Sequence, residues 1–398
     1  MRTGIILDNE LNNDIRVLRE IGIMKEHGIE VFVLCFGFGK KYENPVNGFT
    51  VERINIPKKI KDILFFMLNT IPVYEWMWSF LIRKFIVKNN IEVLHVHDLY
   101  MSKASRRGLK RSGKKIPVIL DLHENYPFTV KTYNWTKGFF RSRIARPLKW
   151  TEKEPEYLSY ADRIIVLSDD FRDLLIQKYP LLLKENFTVL PNVPDLAFRQ
   201  QAPAKEAVTP FPLKYPVILY YGVIAERRGI FDAISVFTEL VKENIMINLL
   251  FIGPVDKKDK TLFQELLSRE ELKDRICHIP WIKSSDLPSY LAISDICIAP
   301  FHKNPQHESG VANKIYDYML GGKPLIVSDC KPQKELVERH SCGLVFTDNA
   351  TLKDAIIELA SDFELRGIMG NNGKEAVERE YNTDVIKDRL FNLYNSLN

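Results

Sequence analysis

Ala312-Asn313-Lys314-Ile315-Tyr316-Asp317-Tyr318-Met319-Leu320-Gly321-Gly322-Lys323-Pro324-Leu325-Ile326-Val327 reads as a helix, a stop and a strand. Ile315, Tyr316, Met319 and Leu320 recur at helical spacing and predict one buried face over 312–320. Gly321 and Gly322 end the helix, and Pro324 keeps it from restarting. Leu325 to Val327 is then a short buried-strand run. The polar stretch before the helix, His307 to Val311, aims backbone N–H groups and a positive dipole end at whatever lies above the strand ends, which suits an anion such as a diphosphate. Lys314 adds charge in the first turn, and Asp317, one turn on, can accept hydrogen bonds from hydroxyls. On local grounds a surface helix with an ordinary Asp–Lys pair explains the same residues equally well.

Upstream, the same alternation repeats. Val217 to Tyr221 predicts a strand, Gly222 to Gly229 a loop carrying Arg227 and Arg228, and Ile230 to Lys242 a helix. A loop with two arginines opening a helix again receives anions, although an exposed basic turn accounts for it as well. Strands follow at Ile247 to Ile252, ending at Gly253, at Ile276 to Ile279 and at Asp295 to Pro300. From Thr351 onward the chain reads as amphipathic helix.

The first half starts with a strand at Gly4 to Leu7, a helix at Asp14 to His27 and a buried strand at Glu30 to Phe36, the mark of a parallel sheet with right-handed crossovers. No Gly-rich fingerprint follows the first strand, and Gly37-Phe38-Gly39 opens no helix, so it reads as a loop. Further strands are expected at Val93 to Val96, Pro117 to Asp121 and Asp162 to Leu167, with a helical segment over Phe139 to Tyr160. His97 and Asp98 end one strand, and His123 and Glu124 follow another, which is where such folds hold their ligands. His95 and His97 share one strand face, but without a third ligand at metal spacing no metal is expected.

Lys58 to Lys88 carries two apolar runs around Pro72, with Lys and Arg at its ends. Pro72 breaks or kinks any helix there, and two accounts stand: a helix packed on the sheet, or an amphipathic segment in a membrane interface. The basic run from Lys103 to Lys115 fits a solvated helix face or anionic lipid, and lacks the interleaved aromatics of a nucleic-acid surface.

Two domains suit 398 residues, and 45% hydrophobic with 27% charged residues is the make-up of a globular protein. The net charge of +5 favours anionic ligands or membrane surfaces. Five scattered cysteines without a CxxC pair read as buried free thiols in a reducing compartment. Neither a signal peptide nor a transmembrane helix is expected. The predicted division is an α/β N-terminal domain over 1–196, a linker over 197–214, an α/β C-terminal domain over 215–378, and a final helix over 379–398 packing toward the first domain. Basic loops in the second domain and His, Asp and Glu in the first predict a cleft for an anionic donor and a hydroxyl-bearing acceptor.

In this order the motifs resemble the retaining glycosyltransferases of the GT-B fold, family 4 (group 1), over nearly the whole chain. They are Asp14-Ile15-Arg16-Val17, His97-Asp98-Leu99-Tyr100, Asp121-Leu122-His123-Glu124, Asn192-Val193-Pro194, the Gly222–Gly229 loop, the strand to Pro300, and Asn313 to Met319 with Gly322-Lys323-Pro324. The resemblance implies two Rossmann-like parallel-sheet domains. It also implies transfer of a sugar from a nucleotide-diphosphate sugar to a glycan or lipid-linked acceptor, in cell-surface polysaccharide synthesis, without a metal or other cofactor. The unpaired cysteines predict a cytoplasmic enzyme, and Lys58 to Lys88 with the basic run from Lys103 to Lys115 predict that it lies peripherally on the inner face of the membrane. Arg228 and Lys314 would neutralise the leaving diphosphate, Asp317 would hold ribose hydroxyls, and His123 would reach the transferred sugar. Gly222, Arg227, Gly253, Ile282, Ser309, Gly310 and Asn313 fall on the donor side, and His97, Asp98 and Glu124 on the acceptor side. The chain departs from the family twice. Val223 stands where an arginine is usual, leaving Arg227 as a substitute. Ser309 stands eight residues before Asp317, where the first of two paired acids belongs, with Glu308 one residue early as the catalytic carboxylate. Two other functions fit the same residues: a nucleotide-sugar 2-epimerase, and a non-catalytic nucleotide-sugar or glycan-binding protein.

Overall fold

A computed structural model describes residues 1–39, 48–194 and 215–397. Contacts divide the chain into Met1–Pro191 with Lys387–Asn398, and Asn192–Ile386. The segment 197–214, read above as a linker, lies outside the described residues.

In the first unit, β1 (Arg2–Ile6), β2 (Glu30–Phe36), β3 (Thr50–Ile54), β4 (Val93–His97), β5 (Val118–Asp121), β6 (Arg163–Val166) and β7 (Phe187–Val189) form one parallel sheet, ordered β3-β2-β1-β4-β5-β6-β7. In the second, β8 (Val217–Tyr221), β9 (Asn248–Ile252), β10 (Ile276–Ile279), β11 (Ile296–Ala299), β12 (Leu325–Ser328) and β13 (Gly343–Phe346) form another, ordered β10-β9-β8-β11-β12-β13. Buried on both faces, the central strands read as unbroken apolar runs, as in Val31 to Phe36. The edge strand β3 carries Glu52 and Arg53 and β7 has only three residues, so neither shows such a run. Each sheet reverses its order once, between β1 and β4 and between β8 and β11. Outside the C-terminal ends of those strands lies the crevice that open parallel sheets use for ligands.

Helices α1 (Ile15–Glu26), α2 (Lys58–Phe66), α3 (Val73–Lys88), α4 (Ser102–Ser112), α5 (Tyr126–Thr132), α6 (Phe139–Ala145), α7 (Lys149–Leu158) and α8 (Asp169–Lys178) belong to the first unit. The Asp14 carboxylate starts α1 by accepting the Val17 N–H at 3.1 Å. Pro72 separates α2 from α3, as its ring requires. Tyr74, Trp78, Ile82, Phe85 and Ile86 of α3 are buried in the core, so one face of the 58–88 segment is a packed helix. The segment 139–160 is two helices, parted at Pro147.

The second unit holds α9 (Ile230–Lys242), α10 (Lys260–Leu267), α11 (Leu287–Ala292), α12 (Asn313–Leu320), α13 (Lys331–His340), α14 (Asn349–Ser361) and α15 (Phe363–Glu380). The last helix, α16 (Thr383–Asn395), packs Phe391 on His27 at 4.2 Å in the first unit. All five cysteines are buried and free. No helix among the described residues is long and apolar enough to cross a membrane.

Candidate active site

The second unit gathers two cations, Arg228 and Lys314, around Phe301 at its switch point. The loop after β8 begins at Gly222, whose φ of 134° favours glycine, and a Cβ there would stand 2.6 Å from Lys314 Nζ. A Cβ on Gly229, with φ 67°, would meet Pro300 O at 1.7 Å, so this glycine lets the arginine loop lie against the end of β11. The Arg228 guanidinium thereby sits over the Phe301 ring at 5.9 Å.

Lys314, in the first turn of α12, is 7% exposed, and its ammonium has no hydrogen-bond partner. Its Nζ lies 3.7 Å from the Tyr220 ring centroid. Burial and the neighbouring Arg228 charge hold it well below the ordinary lysine range, against the pull of Asp317. An orphaned buried cation is costly, and a bound anion removes the cost. Ala312 at the N-cap of α12 supplies no side-chain acceptor, so the positive end of the helix dipole has no side-chain cap. The Tyr221 N–H donates to Tyr318 Oη at 2.7 Å and pins α12 to the end of β8.

Other donor-side residues are placed as follows. Asp317 is half-buried, and burial, with the Asp317 charge added, raises the pKa of Tyr221. Asn313 is exposed at the helix start, Gly310 lies in the loop before it, Gly253 ends β9 and accepts from His278 Nε2 at 2.9 Å, and Ile282 is half-buried after β10. Arg227 is exposed and paired with Asp256 at 3.2 Å, so it does not stand free to replace the missing arginine at Val223. Glu308 Oε1 accepts the Lys331 N–H at the start of α13, 3.0 Å away. Ser309 is fully buried and donates to Pro305 O.

At the switch point of the first unit a buried charge network surrounds Asp121. Arg16 grips this carboxylate with two bonds of 2.9 Å and donates to Leu190 O at 3.0 Å. It also pairs with Glu20 at 3.2 Å. His97 Nδ1 lies 2.9 Å from His123 Nε2, and His123 lies 3.5 Å from Asp121. Burial opposes the His123 charge, but Asp121 and Asp98 push its pKa up to about 9. Burial and the adjacent imidazoles hold His97 well below the usual range, so the neutral His97 ring accepts the His123 N–H. Burial likewise keeps His95 neutral, with a pKa of about 4, its Nδ1 2.8 Å from Tyr394 Oη.

Glu20, His95, His97 and Asp121 bring one donor atom each within 4.8 Å of one another, and His95 Nε2, His97 Nε2 and Glu20 Oε2 lack hydrogen bonds. The set fits a cation poorly, because the Arg16 guanidinium already engages both carboxylates. Its chemistry is that of a scaffold that orients His123.

Three more carboxylates line these strand ends. Asp98 has φ 71° and ψ 136°, strain that such sites hold and ordinary turns avoid, and accepts from Tyr100 Oη at 3.0 Å. Glu124 accepts from Tyr133 Oη at 2.9 Å, and burial, with Asp98 nearby, raises its pKa. Asp8, just past β1, accepts from Tyr74 and pairs with Lys61 at 3.2 Å, and burial pushes it up to about 6. Sequence reasoning passed over Asp8 and gave Asp121 no role of its own, although it lies in a quoted motif. Their signal was a lone acid at the end of an apolar run.

Residues 17–198 match the family model described as Glycosyltransferase Family 4, and residues 201–376 the one described as Glycosyl transferases group 1. The chain is 24% identical over 268 residues to an alpha-D-kanosaminyltransferase of Streptomyces kanamyceticus, covering 64% of this chain and 65% of that one. It is 23% identical over 184 residues to CapM, a capsular polysaccharide biosynthesis glycosyltransferase of Staphylococcus aureus, covering 45% and 46%. The chain thus spans about two thirds and about half of the length of these relatives. Among solved structures, HepE of Anabaena, in complex with UDP, superposes with a TM-score of 0.68 over 100% of both chains at 14% identity.

Proposed function

Since the chain belongs to the family 4 glycosyltransferases of the GT-B fold, we propose that it transfers a sugar, with retention, from a nucleotide-diphosphate sugar to a hydroxyl of a glycan or lipid-linked acceptor. The observation that carries this reading is Lys314, a buried ammonium with no partner beside Gly222 and Arg228. The donor diphosphate is the counter-charge that this cation lacks. As the bond from the anomeric carbon to the phosphate oxygen breaks, negative charge grows on the diphosphate, and Arg228, Lys314 and the N-terminus of α12 stabilise it. The acceptor oxygen bonds to the anomeric carbon on the face the nucleotide leaves, and its proton passes to the departing phosphate. Asp317 holds the ribose hydroxyls, His123 the transferred sugar, and Asp98 and Glu124 the acceptor. No step calls for a metal. CapM's role in capsular polysaccharide supports a polysaccharide acceptor.

The test is a thermal-shift series with UDP, GDP and ADP, followed by turnover of the matching sugar nucleotides with and without acceptor. One nucleotide raising Tm well above the others, and acceptor-dependent release of it that Arg228→Ala abolishes, supports the reading. Isomerised sugar nucleotide without acceptor makes the protein a 2-epimerase. Binding without turnover makes it a binding protein.

A further inference from the structure

Given the reading of the first unit as the acceptor side, on which this rests, we propose that the acceptor carries a protonated amine. Asp98, Glu124 and Tyr126 hold that amine at the ends of β4 and β5 while a hydroxyl of the same molecule reacts. The strand order β1-β4-β5 sets three acids side by side, just beyond the C-terminal ends of neighbouring strands: Asp8, Asp98 and Glu124. A tyrosine hydroxyl donates to each, Tyr74 to Asp8, Tyr100 to Asp98 and Tyr133 to Glu124. These hydroxyls fix the carboxylates without neutralising them.

Cations are unevenly shared here. Arg16 takes Asp121, Lys61 takes Asp8, and His123 lies 3.5 Å from Asp121. Among the described residues neither Asp98 nor Glu124 forms an ion pair. Burial raises both of their carboxyl pKa values, and the Asp98 charge raises that of Glu124 further, against the pull of His123. Both are half-buried and so open to a ligand. Tyr126 is an independent sign of one. It is 4% exposed, and its hydroxyl has no hydrogen-bond partner. After burial, the charges of Glu124, Asp98 and Asp8 raise its pKa, so this oxygen faces the acids.

Aromatic rings complete the surroundings. Tyr100 packs on Tyr126 at 4.8 Å and on Phe65 at 5.0 Å, and Trp135 lies nearly parallel to Tyr133 at 6.3 Å. Phe65, Tyr100, Tyr133 and Trp135 are all half-buried. Carboxylates beside partly open rings attract an ammonium by charge and by the ring faces together. The chain already makes this pairing once, for Lys61 Nζ lies 3.2 Å from Asp8 and 4.6 Å from the Phe65 ring centroid. A protonated amine brings three donors and one positive charge. Asp98, Glu124 and Tyr126 Oη answer with three acceptors and unpaired negative charge. A neutral sugar hydroxyl could fill the hydrogen bonds, but it would leave the repulsion between the two carboxylates in place.

The test measures binding of the methyl glycosides of glucosamine, N-acetylglucosamine and glucose to the full chain by ligand-observed NMR. It is run without nucleotide at about pH 6.5, where a sugar amine is protonated. The glucosaminide should bind about tenfold more tightly than the other two, the margin of a charge-assisted hydrogen bond over a neutral one. Glu124→Gln keeps an acceptor for Tyr133 and removes the charge, and should bring the glucosaminide to within about threefold of the glucoside. Tyr126→Phe removes one oxygen, and should weaken the glucosaminide by at least about threefold with no loss of Tm, since that oxygen has no partner to lose. Should Glu124→Gln fail to fold, Tyr126→Phe and the ratios of the parent chain decide. Equal binding of the three glycosides, no binding of any, or a preference for the amine that both variants leave intact overturns the proposal. No nucleotide enters these measurements, so the donor reading stands or falls separately, on the thermal-shift series.

Discussion

Lys314 Nζ stands 3.7 Å above the Tyr220 ring and forms no hydrogen bond, so a cation–π contact takes the place of a counter-ion. Such a contact offsets only part of the desolvation of a buried ammonium. Lys314→Met keeps the stem and removes an amine that burial disfavours as an ammonium and drives toward its neutral form. It should therefore raise stability by about 1–3 kcal/mol in urea denaturation while abolishing the Tm shift given by nucleoside diphosphates. A variant that is less stable than the parent, or one that still binds nucleotide, would show that the ammonium is not held in reserve for an anion.

The same lysine makes nucleotide affinity depend on pH. Burial and Arg228 hold Lys314 well below its ordinary range in the free protein. A bound diphosphate reverses the balance of charges, so binding takes up a proton wherever the pH exceeds the free-protein value. Affinity should fall as pH rises from about 7 to about 9, where the nucleotide phosphates are already ionised. Calorimetry in buffers of different ionisation enthalpy should register the uptake, and Lys314→Met should remove it along with the affinity. A flat profile would mean that binding leaves the protonation of Lys314 unchanged.

Much of this arrangement was legible in the residues. Ile230 to Lys242 has the bounds its periodicity predicts, because it is buried on a regular face, and Ile276 to Ile279 is the strand expected there. Lys314 and Asp317 could be placed on one helix because Gly321 and Pro324 fix its end. The sequence could not show that Glu308 accepts from the N-terminus of α13, or that Arg227 pairs with Asp256, since both pairings join elements that only the sheet topology brings together. The pairing of Asp121 was hidden for the same reason. Its partner Arg16 lies 105 positions away.

Asp98 carries backbone strain that a glycine would not feel. Its φ of 71° with an extended ψ costs an L-residue, and burial raises its carboxyl pKa as well. Asp98→Gly should therefore stabilise the chain by about 1 kcal/mol. It should also slow transfer to acceptor by at least about tenfold while leaving nucleotide binding unchanged. A destabilised variant would mean that the Tyr100 bond outweighs the strain. Unchanged transfer would remove Asp98 from the acceptor side.

His123 sets a pH limit on the first unit. Its side chain is 21% exposed, and Asp121 and Asp98 lift it, against burial, to about 9 from an ordinary value of 6.5. A cationic group raised in the folded state contributes its full stabilisation below the unfolded value and loses it as pH rises through the folded one. Stability should thus decline between about pH 6.5 and about pH 9, by up to about 3 kcal/mol. Glu20, raised by burial and Asp121, also loses its contribution as pH rises, so the wild-type curve alone is ambiguous. His123→Asn resolves it. The variant should be less stable than the parent at pH 6, where the parent's imidazolium faces Asp121, and the two should converge near pH 9.5, above the folded value. Urea denaturation at those two pH values measures the difference directly. A gap of the same size at both would mean that His123 packs as a neutral ring and carries no charge toward the transferred sugar.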